Sequence, residues 1–124
     1  MSHSEHISRL NKIGDTVDSS FDKVSDSCIG MRDLWVKFEE AEESGNLEET
    51  RKLALESKRL AKIAKVAAVK ACNAAPDAFS VSPLTRGYAL VCKEVAESID
   101  DSSNDMITQA EELQKSNIDS KDKS

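Results

Sequence analysis

Residues 17 to 38 read VDSSFDKVSDSCIGMRDLWVKF. The apolar members Val17, Phe21, Val24, Cys28, Met31, Trp35 and Phe38 follow one another at alternating steps of four and three. That spacing predicts one long α-helix with an apolar seam, which another element must cover. The same grammar recurs twice downstream, so the chain reads as helices packed on helices.

Length and composition agree with this. A chain of 124 residues makes one domain with one core. Charged residues form 32% of it, above the usual quarter or so, and aromatic residues only 4%. Four Gly and two Pro leave little turn chemistry for a sheet-rich fold. The expected fold is all-α, an elongated antiparallel three-helix bundle with coiled-coil-like packing. Its helices span about 4–44, 47–74 and 83–114, so that 1–114 is a single domain and 115–124 a disordered polar tail.

Local signals set these boundaries. Ser2 with Glu5 forms a possible capping box for the first helix. Gly14 is the expected break within it, because the strict seam begins only afterwards. Gly45 suits a helix end, and Asn46 with Glu49 caps the next helix. Ser82-Pro83 restarts the chain after a loop that holds Phe79 and Val81. Helix 3 then carries Leu84, Tyr88, Val91, Val95, Ile99, Met106, Ala110 and Leu113, with Ser102 filling a slot in the seam. Helix 2 turns Leu53, Leu60 and several alanines to one side, and its bases to the other. Small side chains there let neighbouring helices approach closely. Trp35 and Phe38 close the helix 1 seam beside the turn and are expected as core anchors.

No basic region followed by an apolar run opens the chain, so no secretory signal is expected. The longest apolar streak, Val66 to Val69, is too short to cross a bilayer. Cys28, Cys72 and Cys92 are odd in number and show no C-x-x-C spacing. They are expected to be small buried hydrophobes in a reducing, cytoplasmic setting. Short acidic helical chains of this composition are common in viruses and mobile elements, which gives a compositional expectation of source.

Charge is unevenly placed within a net of −6. Residues 39–50 hold six Glu and no base, whereas 51–70 hold seven bases and one acid. Residues 86–113 return to two bases against seven acids. Within a bundle, the acids of helix 3 and of the helix 1 end would neutralise helix 2. Left open, Arg51, Lys58, Arg59, Lys62 and Lys65 would form an anion-binding face. The overall negative charge and the lack of aromatics among those bases weigh against nucleic acid. An acidic DNA mimic is a further alternative, which the central basic block disfavours.

Chemistry-bearing residues are sparse. His3 and His6 could offer two ligands to a metal, with no third in view. Neither has the context of a Ser-His-Asp or Cys-His set, and no glycine loop suits a phosphate. No enzyme, cofactor or metal is expected.

What is left is surface. Leu55, Val66 and Val69 lie among the lysines of helix 2, opposite its core face. Ile7, Leu10 and Ile13 project beyond the reach of helix 2, since its length covers helix 1 only back to about residue 17. Both sets are candidate partner or dimer interfaces. The expected function is a helical protein–protein interaction module, an adaptor, inhibitor or assembly factor. Its expected partner is another protein or a second copy, most simply in a homodimer, and no membrane.

Overall fold

A computed structural model describes the backbone of residues 3–75 and 83–123, and the side chains through Asn117. Three helices make up the described chain: α1 (His3–Glu43), α2 (Leu47–Ala74) and α3 (Pro83–Lys123). They pack on one another as an all-α three-helix bundle, with α2 against both neighbours. No helix among the described residues is long and apolar enough to cross a membrane.

The α1–α2 turn forms where the sequence places it, and its hydrogen bonds explain why. Gly45 has φ of 72°, a left-handed conformation that suits a residue without Cβ. Its N–H donates to the Glu42 carbonyl and the Asn46 N–H donates to Ala41, at 3.1 and 2.9 Å. This pair of bonds satisfies carbonyls orphaned at the end of α1. Asn46 Oδ1 then accepts from the Glu49 N–H at 3.1 Å, capping α2.

Buried positions reveal a different roll of α1 from the one the apolar pattern predicts. Val17, Val24, Met31 and Phe38 are buried as expected, but the alternate positions are Ser20, Ser27, Leu34 and Ala41. Phe21 and Cys28 are exposed and Trp35 is half-buried. The same one-residue shift occurs in the first half of α3. There Ala89, Cys92 and Ala96 are buried, while Leu84, Tyr88 and Val91 are exposed. The seam continues through Ile99, Ser103, Met106 and Ala110.

The cause lies in α2. Its buried line Thr50, Ala54, Ser57, Ala61, Ala64, Ala68, Ala71 and Ala75 keeps the four-three spacing and holds no side chain larger than Thr. Such a face offers no pockets for large partners, so α1 and α3 meet it with small residues of their own. Small residues on both sides favour close approach of the helices. Beside this line α2 also carries two larger residues, buried Leu53 and half-buried Leu60, and Gly30 of α1 leaves room for the second: a Cβ there would stand 3.0 Å from Leu60 Cδ1.

Displaced aromatics occupy the front of the bundle, between α1 and α3. Phe21 meets Tyr88 edge to face at 5.6 Å between centroids. Trp35 packs edge to face on Phe38 and donates from Nε1 to Ser102 Oγ at 2.6 Å. The two pairs, Phe21 with Tyr88 and Trp35 with Ser102, share one sequence offset, so α1 and α3 run parallel, each antiparallel to α2.

Two further points differ from expectation. Helix α1 runs unbroken through Gly14, whereas α3 is continuous through Asp100–Asn104 as its seam implies. The backbone of α3 also continues to Lys123, beyond the expected end at 114 and through the segment read as a tail. That segment contains neither Gly nor Pro to stop a helix. The expected caps Ser2 and Ser82 lie outside the described residues.

Phe38 is fully enclosed, whereas Trp35 is half-buried at the front of the bundle. Phe38→Ala is therefore expected to cost about 3–5 kcal/mol and Trp35→Ala distinctly less, by chemical denaturation. An equal or reversed order would contradict this roll of α1.

Candidate interaction surfaces

Polar groups inside the bundle serve the fold. Ser57 Oγ donates to the Ala54 carbonyl at 2.6 Å and lies 3.0 Å from Ser103 Oγ across the α2–α3 contact. Ser27 Oγ donates to Lys23 O at 2.9 Å. Thr50 Oγ1 donates to Leu47 O at 2.7 Å. Among the described residues no buried side-chain nitrogen or oxygen lacks a partner. A satisfied polar core of this kind helps to hold helices in place.

The cysteines separate by position. Cys28 is exposed because α1 is rolled away from the predicted seam, Cys72 is half-buried and Cys92 is buried. Two of the three thus depart from the buried setting expected of them. Burial pushes the Cys92 thiol up, and the nearby Cys72 adds to this. Cys72 Sγ contacts the Ala89 carbonyl at 3.5 Å. No group of three or more His, Cys, Asp or Glu that could hold a metal occurs among the described residues. His3 and His6 are both exposed at the start of α1.

The outward face of α2 is the most distinctive surface. Leu55, Val66 and Val69 are 64%, 49% and 59% exposed there. Although α2 is the middle element, neither neighbour covers them, because α1 and α3 both pack on its small-residue side. Arg51, Lys58, Arg59, Lys62 and Lys65 surround them, all exposed. Lys65 reaches Asp100 of α3 at 2.9 Å. Arg59 is held within α2 by Glu56, whose carboxyl this hydrogen bond lowers below its ordinary range. Among the described residues Arg51, Lys58 and Lys62 form no ion pair. Neutralisation of helix 2 by helix 3 is thus confined to one contact there.

An open groove of about 480 Å³ runs along the α2–α3 side of this face, past Val69, Leu90 and Lys93. Arg86 closes its upper end by donating to the Ala75 carbonyl at the end of α2, at 2.6 Å. This cation at a helix C-terminus satisfies an orphan acceptor and complements the helix dipole.

At the other candidate surface Val17 is the first buried residue of α1, in agreement with the predicted reach of α2. Before it, Ile7 and Leu10 are exposed and Ile13 is half-buried against the core. Phe79 and Val81, in the loop between α2 and α3, lie outside the described residues.

One exposed set is not anticipated by the apolar count: Ile29 and Val36, at 56% and 54% exposure on the outer side of α1. They lie among charged residues, so a count that follows the longest apolar run passes over them.

No known family model matches the chain, and neither the curated proteins nor the solved structures give a match.

Thiol accessibility checks the local geometry. With a maleimide probe and mass spectrometry, Cys28 should label first and Cys92 only as the bundle unfolds. Rapid native labelling of Cys92 would contradict the packing of α3.

Proposed function

We propose that this chain is a non-catalytic helical protein-interaction module, an adaptor, inhibitor or assembly factor, whose docking face is the outward side of α2. The observation that carries this is the exposure of Leu55, Val66 and Val69 on a helix that already packs against both of its neighbours. Isolated exposed aliphatics are ordinary, but three on one helical face offer an anchor surface to a partner helix. The bases around them supply orientation and would favour an acidic partner. Ile7 and Leu10 offer a smaller, second apolar contact at the far end of α1.

A specific observation also favours a second possibility, an anionic ligand or nucleic acid on the same bases. Arg51, Lys58 and Lys62 lack ion pairs among the described residues, so their charge is available. Docking through the aliphatics accounts for more of the face, because an anion site has no use for Leu55, Val66 and Val69.

Salt separates the two. Immobilised wild-type chain should retain a protein partner that resists moderate salt, and a Leu55→Ser/Val66→Ser/Val69→Ser variant should lose it. Nucleic-acid binding would instead weaken steeply, by about 10³–10⁵ between 50 and 200 mM salt for a site of six to ten phosphates. A salt-labile nucleic acid bound equally by the triple variant would contradict the interaction-module assignment.

A further inference from the structure

The outer faces of α1 and α2 carry two stripes with the same spacing and opposite charge. On α1 the stripe is Asp22, Asp26, Ile29, Asp33, Val36, Glu40 and Glu43, at steps of four and three, and all seven are exposed. It holds five acids and no base, with Arg32 and Lys37 at its margins. On α2 the stripe is Arg51, Leu55, Lys58, Lys62, Lys65 and Val69, again at steps of four and three and all exposed. It holds four bases and no acid. At 1.5 Å per residue the two run for about 32 and about 27 Å, a close match in length.

Within one chain these stripes cannot meet. Each lies on the side of its helix opposite the core, since Val24, Met31 and Phe38 of α1 and Ala61, Ala64 and Ala71 of α2 face inward. Both stripes also interleave charge with large aliphatics, two on each: Ile29 and Val36 on one, Leu55 and Val69 on the other. Four-three spacing is what a helix needs to lie along another helix, with apolar contacts flanked by ion pairs. Helix α3 is acidic too, but its large exposed aliphatics, Leu84, Leu90 and Val91, all precede its acids Glu94, Asp101 and Asp105 and are not interleaved with them. Charge alone would therefore not choose α1 over α3; the aliphatics do.

From this complementarity we infer that the occupant of the α2 face is a second copy of this chain, which lays its acidic α1 stripe along the basic α2 stripe. The contact joins two unlike surfaces, so every copy carries both halves of it. It rests on the assignment of α2 as the docking face and names the partner. The apolar residues supply the attraction, and the charges set which helix docks and in which orientation.

Charge exchange tests it, read as weight-average mass by sedimentation equilibrium. Wild type should rise above the monomer mass of 13.6 kDa as concentration increases. One variant, Asp26→Lys/Asp33→Lys/Glu40→Lys, makes the α1 stripe net basic; another, Arg51→Glu/Lys58→Glu/Lys62→Glu, makes the α2 stripe net acidic. Each alone should remain monomeric to about a hundredfold higher concentration, since like charges then oppose each other along the contact. Mixed in equal amounts they should associate again, because each then offers the other a complementary stripe. That recovery also shows that both variants are folded, and helical circular dichroism checks each one separately.

Three results would overturn the inference: a wild type that is monomeric throughout, a single variant that associates as wild type does, or folded variants that fail to recover on mixing. Association lost on Ile7→Ser/Leu10→Ser but kept in both charge variants would likewise overturn it, in favour of the N-terminal surface. A monomeric wild type that still holds a foreign protein through Leu55, Val66 and Val69 would overturn only the second-copy assignment. A monomer with no salt-resistant protein partner would remove the interaction-module assignment as well.

Discussion

A helix seam built from Ala, Ser and Thr, with Leu53 and Leu60 beside it, constrains everything packed against it. From Thr50 to Ala75 the buried line of α2 has no side chain long enough to hold a neighbour at a distance. Burial at such a face is obtained only by bringing backbones close, and that requires small residues opposite. Ser20 and Ser27 on α1 and Ala89, Ala96 and Ser103 on α3 meet the requirement. Their hydroxyls do not oppose burial because each buried polar atom described has a hydrogen-bond partner.

The rest of the architecture follows from that contact. Once α1 and α3 turn their small residues towards α2, their large side chains are carried round to the front of the bundle. Phe21 pairs with Tyr88 and Trp35 reaches Ser102 there, which ties together the two parallel helices. Larger core residues remain where three helices converge, with Phe38 and Met106 fully enclosed. The outward side of α2 is left without cover, because both of its neighbours are drawn to the opposite side. The fold thus connects directly to the surface on which the proposed function depends.

Much of the architecture is legible in the sequence. Three periodic segments, the Gly45-Asn46 turn and the Ser82-Pro83 restart suffice to place three helices and their order. The roll of α1 and α3 is not legible from apolar spacing, since such a count selects Phe21 over Ser20 and Tyr88 over Ala89. The alanine-rich side of α2 holds the missing signal, because close packing rewards small size more than hydrophobicity. The end of α3 is hidden for a simpler reason: polar composition from 115 onwards resembles a tail, yet nothing in it breaks a helix. Among candidate site residues, Leu55, Val66 and Val69 stand out early because they oppose the alanine face. The acidic stripe through Ile29 and Val36 is hidden by the stronger apolar run on the other side of the same helix.

Close approach at the alanine face is most directly tested by measuring the unfolding free energy of Ala64→Leu, at a position with no solvent exposure. The added side chain has nowhere to go if the backbones are as near as the seam implies. A loss of about 1–3 kcal/mol in denaturant unfolding is expected. Unchanged or increased stability would mean that α2 has slack against its neighbours, and would contradict the account.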